Sequence, residues 1–175
     1  MEILSSGAHR VLVQQEPPVL LSQMDVARFL QFHNHHLGSI LDRTVPDFVR
    51  SDRDLHVITF KNTAQEVFLR MANEGVSGVP IVDDEECLVG DLSPENLRGL
   101  NRSRYPDLEK PVVMFLKEQG GGELWRPVTC HGRFTLSQVM TAFVLRQAHR
   151  IWWCEDDGRV LGLITLSDLL RIFLE

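Results

Sequence analysis

The dipeptide His-Arg occurs twice in the sequence, as His9-Arg10 and as His149-Arg150. An arginine binds phosphate well because its planar guanidinium donates two parallel hydrogen bonds to neighbouring oxygens. A histidine can donate to phosphate or stack on a base. Each pair taken alone is typical of a charged surface at the edge of a strand. Its recurrence favours anion binding, and both interpretations stay open.

Thr165 and Asp168 have the spacing of a helix capping box, with a hydroxyl before the helix and a carboxylate in its first turn. Capping alone accounts for this pattern. The unpaired N–H groups at such a helix start also bind anions and hydroxyls, so a cap and a binding site are compatible. An earlier segment has Asn96 at the equivalent position, which is a weaker partner for the helix dipole.

Other clusters of polar residues indicate no catalytic site. The cluster of His33, His35 and His36 lacks the cysteines or carboxylates that would complete a metal site, and is typical of a polar helix end. The acidic run 83–86 is typical of a solvated hairpin turn. The sequence has no Gly-x-x-x-x-Gly-Lys loop and no nucleophile pattern around its cysteines. We therefore expect neither an enzyme nor a bound metal.

Composition limits the class of protein and its partners. The net charge of -6 argues against nucleic acid as a partner. No apolar run approaches the roughly 20 residues of a membrane span, so no membrane partner is expected. The first residues do not resemble a signal peptide, and the three cysteines form no CxxC pair. These features predict an intracellular protein, cytoplasmic or nuclear, with reduced thiols.

Three segments of the chain resemble one another at a spacing of about 70 residues. Each contains an apolar run, a polar turn, a second apolar run and then Ser/Thr-x-x-Asp/Asn, which we expect to open an amphipathic helix. The aligned positions are His9, Gly78 and His149 before the turn, and Asp25, Asn96 and Asp168 after it. The second and third copies also have a leading strand and helix, at 56–59 with 63–73 and at 126–130 with 135–145.

The complete repeat is therefore predicted as strand, helix, hairpin and helix, or βαββα. The fold class is α/β (α+β). We expect the hairpin and last helix of an incomplete repeat at 1–36, a linker at 37–49, a repeat at 50–105, a connecting helix (106–117) and glycine linker at 106–122, and a repeat at 123–175. Because the first copy lacks its leading half, we expect the chain to be a fragment of a longer protein.

The order and repetition of these segments resemble the CBS domain family, whose repeats pair into Bateman modules. The resemblance is strongest in Gly-Val-Ser-Gly-Val-Pro-Ile-Val-Asp at 75–83 and in the stretch from His149-Arg150 to Asp168. Within that family the chain is most similar to the C-terminal part of the γ regulatory subunits of AMP-activated protein kinase and their fungal and plant relatives.

The resemblance implies an adenine-nucleotide site between repeats, with AMP, ADP or ATP as candidate ligands and no required cofactor. Asp168 would accept hydrogen bonds from the ribose hydroxyls, with Thr165 beside it. His149, Arg150 and Arg10 would face phosphate. The full set of implied binding residues is Asp168, Thr165, His149, Arg150, Arg10, His9, Thr63, Ser77, Val128 and Thr129. The second repeat has Asn96 and Gly78-Val79 at the key positions, so its pocket is doubtful as a nucleotide site.

Two functions are consistent with these residues. The first is a nucleotide-sensing regulatory subunit that controls a protein partner, by resemblance the catalytic and scaffold subunits of a kinase. The alternative is an interaction scaffold that keeps the fold and can pair with another CBS module without binding nucleotide, or the detached regulatory domain of a channel or enzyme.

Two expectations concern surfaces. The incomplete repeat has no leading half of its own to cover its apolar residues. We therefore expect an exposed apolar patch at Val11, Leu12, Val13, Leu20 and Leu21, and self-association through it. Trp152 and Trp153 lie on opposite faces of a strand, so we expect one in the core and the other over an interface or ligand.

Overall fold

The computed structural model describes residues 1–49 and 55–174, and its strands and helices alternate along most of the chain. In chain order they are α1 (Glu2–Ser5), β1 (Arg10–Val13), β2 (Val19–Ser22), α2 (Gln23–Phe32), α3 (Val45–Phe48), β3 (Ile58–Thr59), α4 (Ala64–Glu74), β4 (Val79–Val82), β5 (Leu88–Leu92), α5 (Val112–Gln119), β6 (Thr129–Cys130), α6 (Leu136–Arg146), β7 (Arg150–Cys154), β8 (Val160–Thr165) and α7 (Leu166–Ile172). Between them, 3-10 helices cover Asn34–His36, Gly38–Asp42, Pro94–Leu97 and Arg102–Glu109.

Packing divides the chain into two compact units. The first unit comprises Met1–Arg53, Val128–Glu155 and Leu161–Glu175. The second comprises Asp54–Pro127 and Asp156–Val160. The hairpin and helix of the first copy therefore belong to the same unit as most of the third copy.

The first unit is built around two small sheets and the helices that pack on them. In one sheet β1 and β2 form an antiparallel hairpin, with Arg10 paired to Ser22. In the other the order is β6-β7-β8, and β6 runs parallel to β7 with Thr129 opposite Trp152. Helix α2 packs against α6 and α7, and α1 packs against α7. The core of this unit includes Ala27, Phe143, Ile151, Trp153, Ile164 and Leu169.

The second unit contains the sheet β3-β4-β5. Strand β3 runs parallel to β4, and β4 runs antiparallel to β5. All four residues of β4 are buried, as expected of the short apolar run at 79–82. Helices α4 and α5 cover the sheet, and the core includes Ile58, Val67, Met71, Ile81, Leu92 and Phe115.

Five of the described α-helices begin after a Ser or Thr residue, whose side chain can satisfy the N–H groups that a helix start leaves unpaired. Capping boxes are present at the starts of α2, α4, α6 and α7, with Ser22, Thr63, Thr135 and Thr165 as their first residues. Helix α4 ends at Gly75, whose φ of 67° is a left-handed conformation that glycine adopts without strain. The βαββα order predicted from the repeats is thus complete in the third copy, whereas the second copy has a 3-10 helix in place of its last helix.

Two predicted helices differ in the structure. A single helix over 106–117 is divided, because Lys110 precedes a proline and is extended, and Pro111 begins a new turn into α5. The helix expected after Ser93 is only the 3-10 helix Pro94–Leu97. It stops where Arg98 becomes extended and Gly99 turns with a φ of 78°.

The apolar patch predicted on the first hairpin is present in part. Leu12 and Leu20 are 65% and 56% exposed, and Val13 and Val19 are also exposed. The prediction is wrong for Val11 and Leu21, which pack against the core of the first unit because they lie on the inner face of the hairpin. Trp152 and Trp153 are both buried, and Trp153 lies in the core of the first unit. That the other tryptophan covers an interface or ligand stays a prediction.

Candidate functional site

The start of α7 holds the carboxylate that the sequence indicates most strongly. The Asp168 Oδ2 atom accepts hydrogen bonds from the Thr165 backbone N at 2.9 Å and from Thr165 Oγ1 at 2.7 Å. The Asp168 N–H in turn donates to Thr165 Oγ1. The other oxygen, Oδ1, lies 3.6 Å from Nη1 of Arg171, one turn along the helix. The Asp168 side chain is 11% exposed, so it sits in a partly desolvated position where its hydrogen bonds are strong.

The start of α2 has the same arrangement. The Asp25 Oδ2 atom accepts from the Ser22 backbone N at 2.9 Å and from Ser22 Oγ at 2.6 Å, and Oδ1 lies 3.7 Å from Nη1 of Arg28. The side-chain and backbone hydrogen bonds from Ser22 lower the pKa of Asp25, and the charges of Arg28 and Arg10 lower it further. Asp25 is therefore a carboxylate at neutral pH.

A buried glutamine joins these two helix starts. Gln23, 4% exposed, is the first residue of α2, and its Nε2 atom donates to the hydroxyl of Ser167 in α7 at 2.7 Å. The same Nε2 donates to the carbonyl oxygen of Leu4 in α1 at 2.8 Å. The Gln23 backbone N–H also donates to the carbonyl of His9, which precedes β1. The two capping boxes thus lie on helix starts in direct contact within the first unit.

The two His-Arg pairs stand at the beginnings of hairpin strands. Arg10 begins β1 and Arg150 begins β7, and each is preceded by an exposed histidine, His9 or His149. Arg10 is exposed and is paired in register with Ser22. Its charge acts on Asp25. The first and third copies therefore share one plan, a hairpin whose first strand begins with arginine and whose second strand leads into a capped helix start.

The second copy departs from that plan in the way the sequence indicates. Ser93 caps through Asn96, whose amide Oδ1 accepts from the Ser93 backbone N at 2.9 Å. The backbone carbonyl of Asn96 accepts a hydrogen bond from the side chain of Gln119. This helix start has a neutral amide in place of the carboxylate.

The remaining predicted residues are divided between the two units. Val128 and Thr129 precede and begin β6 in the first unit, where the Val128 carbonyl accepts from the Trp152 N–H. Thr63 and Ser77 belong to the second unit, where Thr63 caps α4 through Glu66. Eight of the ten implied binding residues thus share the first unit. Their joint role around one ligand stays a prediction.

The residues that the structure describes contain neither a metal-binding cluster nor a membrane span. Among them, no group of three or more histidine, cysteine or acidic side chains is placed to hold a metal ion. The rings of His33, His35 and His36 instead contact one another, and the ring of His33 also contacts Phe29 and Phe32 at the end of α2. No helix in the described ranges is long and apolar enough to cross a membrane.

Comparison with known proteins identifies the repeats. The family model of the CBS domain matches residues 47–100 and 123–175. The chain belongs to the CBS domain family. The predicted fold class, with tandem CBS repeats, is confirmed. The match covers the second and third copies, and the division of the whole chain into repeats and linkers stays a prediction.

Among similar proteins is the "SNF1-related protein kinase regulatory subunit gamma-like PV42a" of Arabidopsis thaliana, 25% identical over 98% of this chain. The chain spans 58% of that relative's length. Of solved structures, MJ1225 of Methanocaldococcus jannaschii, described as an archaeal homolog of g-AMPK, has a TM-score of 0.73 at 20% identity, covering 98% of this chain and 61% of its own. CBSX2 in complex with AMP has a TM-score of 0.57 at 21% identity, covering 75% and 96%. The predicted similarity to γ-type kinase regulatory subunits is confirmed.

The structure adds residues that the sequence prediction did not include. Ser22 and Asp25 repeat the cap of the third CBS repeat, and Arg28 and Arg171 occupy equivalent positions beside the two carboxylates. The alignment of Asp25 with Asp168, two repeat periods of about 70 residues apart, is the signal that could have identified this second pair. No pattern in the sequence points to Gln23, because its two bonds depend on how α1, α2 and α7 pack.

Proposed function

We propose that this chain is a non-catalytic regulatory module that binds an adenine nucleotide in its first unit and acts on a partner protein. AMP, ADP and ATP are the candidate ligands. The proposed binding set is centred on Asp168, with Thr165, His149 and Arg150 in the same repeat.

One observation carries the proposal. The first unit holds two capped helix starts, each with a carboxylate that uses Oδ2 in the cap and directs Oδ1 toward an arginine one turn away. Each helix start follows a hairpin whose first strand begins with arginine. Carboxylate, helix N-terminus and strand-start arginine therefore occur together twice.

This combination fits the two ends of a nucleotide. Ribose hydroxyls donate hydrogen bonds, and a carboxylate is a strong acceptor for them. Phosphate oxygens accept hydrogen bonds, and Arg150, His149 and Arg10 supply donors. A ribose bound at Asp168 Oδ1 would compete with Arg171, whose side chain is 58% exposed and can move away at little cost.

The relatives support the proposal in two ways. A solved CBS structure of similar fold contains AMP. The PV42a relative is named as a γ-like regulatory subunit of a protein kinase. Kinase catalytic and scaffold subunits are accordingly the partners that we propose for this chain.

A second candidate is a CBS scaffold that binds partners without nucleotide. Its supporting observations are the neutral Asn96 in the second repeat and the exposed apolar residues Leu12 and Leu20 on the first hairpin. Such a scaffold would retain its partner surfaces and show no affinity for AMP, ADP or ATP.

Titration calorimetry of the chain with AMP, ADP, ATP and S-adenosylmethionine distinguishes the two candidates. We expect an adenine nucleotide to bind, and Asp168→Asn to weaken it by about 1.5–3 kcal/mol, the scale of a hydrogen bond to a charged group. Asparagine is the informative substitution because Asn96 shows that its amide oxygen can complete the same cap. The fold should therefore survive while the charge is lost.

Asn96→Ala is the matched control, and it should leave the affinity unchanged. Equal affinity before and after Asp168→Asn would show that the nucleotide binds elsewhere. If none of the four compounds binds at millimolar concentration, the scaffold function is the correct one.

A further inference from the structure

A depression on the second unit is lined in part by polar side chains that have no hydrogen-bond or ion-pair partner among the described residues. It lies between α4 and the 3-10 helix Arg102–Glu109, with a volume of about 490 Å³. Its lining consists of Gln65 from α4 and of Arg102, Tyr105, Pro106, Leu108 and Glu109 from the 3-10 helix. Gln65 lies in the first turn of α4, whereas the helix starts that hold Asp25 and Asp168 do not contribute to the depression.

An ion-pair network joins other residues of the 3-10 helix that forms one wall of this depression, and it restrains that wall. Asp107 receives hydrogen bonds from Arg104 at 3.1 Å and from Lys110 at 2.8 Å, and Lys110 reaches Glu118 of α5 at 2.7 Å. These bonds lower the pKa of Asp107 and raise that of Lys110. A wall held in this way is ordered before anything binds, which reduces the entropy cost of binding.

The lining residues are different. Within the described part of the chain, no hydrogen-bond or ion-pair partner reaches the side chains of Arg102, Tyr105, Gln65 or Glu109. Arg104 and Asp107, from the same 3-10 helix, are both paired. The unpaired polar groups therefore converge on the depression, whereas the paired ones hold its wall in place.

The side chains that line the depression can each bind a particular chemical group of a ligand. Arg102 can take a carboxylate bidentately. The amide of Gln65 both donates and accepts, so it matches a peptide group, and Glu109 accepts from N–H donors. Tyr105, 55% exposed, provides apolar contact area together with Pro106 and Leu108. Glu109 disfavours a polyanion such as a nucleotide, because its carboxylate would repel the phosphates.

We propose that this depression is a docking site for a peptide segment of a partner protein that carries an acidic side chain next to an apolar one. The acidic side chain pairs with Arg102, the peptide backbone bonds to Gln65 and Glu109, and the apolar side chain rests on Tyr105. This site is independent of the proposed nucleotide site, since its residues belong to the second unit and Asp168 to the first.

The test uses two display libraries of nine-residue peptides, one with glutamate and one with glutamine fixed at the centre, selected on the full chain. We expect the glutamate library to be retained about tenfold or more over the glutamine library, the gain of one charge-assisted contact. Arg102→Gln should remove that preference. Arg98→Gln is the matched control, because Arg98 is 81% exposed and lies outside the depression, and it should keep the preference.

A peptide enriched in this way is then titrated into the ¹⁵N-labelled chain, and amide shifts at Gln65 and Tyr105 would locate it in the depression. The proposal is overturned if neither library is preferred, if Arg102→Gln keeps the preference, or if the shifts fall elsewhere. Melting temperatures of both arginine variants should equal that of the wild type, because neither side chain is buried. The Asp168→Asn variant should bind the peptide normally, so the failure of one proposal leaves the other standing.

Discussion

Replacing Gln23 by alanine should destabilise the first unit, because one buried amide joins three helices there. Its Nε2 atom donates to Leu4 of α1 at 2.8 Å and to Ser167 of α7 at 2.7 Å, from its place at the start of α2. Gln23 and Leu4 are 4% and 2% exposed, so water cannot easily replace the lost donor. The carbonyl of Leu4 would keep only a long bond from the Gly7 N–H, at 3.4 Å.

The size of the effect follows from these two bonds. Each neutral hydrogen bond contributes roughly 0.5–1.5 kcal/mol to stability, and a buried acceptor left unpaired costs more. Alanine is a better helix former than glutamine, which offsets a few tenths of a kcal/mol. We expect Gln23→Ala to lower the free energy of unfolding by about 2 kcal/mol, or the melting temperature by about 4–8 °C in a chain of this length.

Urea unfolding followed by tryptophan fluorescence measures this loss, because Trp152 and Trp153 are both buried in the first unit. Gln65→Ala is the matched control, since Gln65 is exposed near the start of α4, and its effect should stay within about 0.5 kcal/mol. A double-mutant cycle with Ser167→Ala should give a coupling energy of about 0.5–1.5 kcal/mol. If Gln23→Ala behaves like Gln65→Ala, the amide does not hold the helices together and this reasoning fails.

Three other predictions use acid, a thiol reagent and the exposed hairpin. Folding lowers the pKa of Asp25, Asp47 and Asp107, so their ionised forms stabilise the fold when the pH is above their ordinary pKa of 3.8. That stability is lost as the pH falls through their lower pKa values in the folded state. The urea midpoint should therefore drop below about pH 4, and a flat profile would contradict the role of Asp25, Asp47 and Asp107. Burial raises the pKa of Cys130 to about 12, so iodoacetamide at neutral pH should leave Cys130 unmodified until the chain is unfolded; rapid native labelling would refute this. Sedimentation should show self-association that Leu12→Ser weakens, and a monodisperse wild type at high concentration would exclude an adhesive role for the hairpin.

The repeat plan could be predicted from the sequence because it depends on local signals. Apolar runs, acidic turns and Ser/Thr caps recur at a fixed spacing, and each acts over a few residues. The same local logic failed at Lys110, where the following proline divides a predicted helix, and after Ser93, where Gly99 ends a turn before a helix can form. A closer use of proline and glycine signals would have placed both boundaries.

What the sequence could not predict depends on packing between distant segments. The hairpin of the first copy shares a core with the third copy, so Val11 and Leu21 are covered although their own repeat is incomplete. The bridge from Gln23 to Ser167 joins residues 144 positions apart. The depression beside Arg102 exists because the 3-10 helix Arg102–Glu109 packs on α4, and no motif marks it.

Comparing the caps completed by Asp25, Asn96 and Asp168 shows that a helix start needs an acceptor oxygen but not a negative charge. Ser93 with Asn96 shows that a neutral amide oxygen completes the cap at 2.9 Å, the same distance that the carboxylates of Asp25 and Asp168 reach. A negative charge adds only about 0.3–1 kcal/mol through the helix dipole. A hydrogen bond from a ligand to that charge contributes about 1.5–3 kcal/mol. The negative charge of Asp25 or Asp168 would therefore contribute more to the binding of a ribose diol than to the stability of its helix. Ligand binding should accordingly be sought in the first unit.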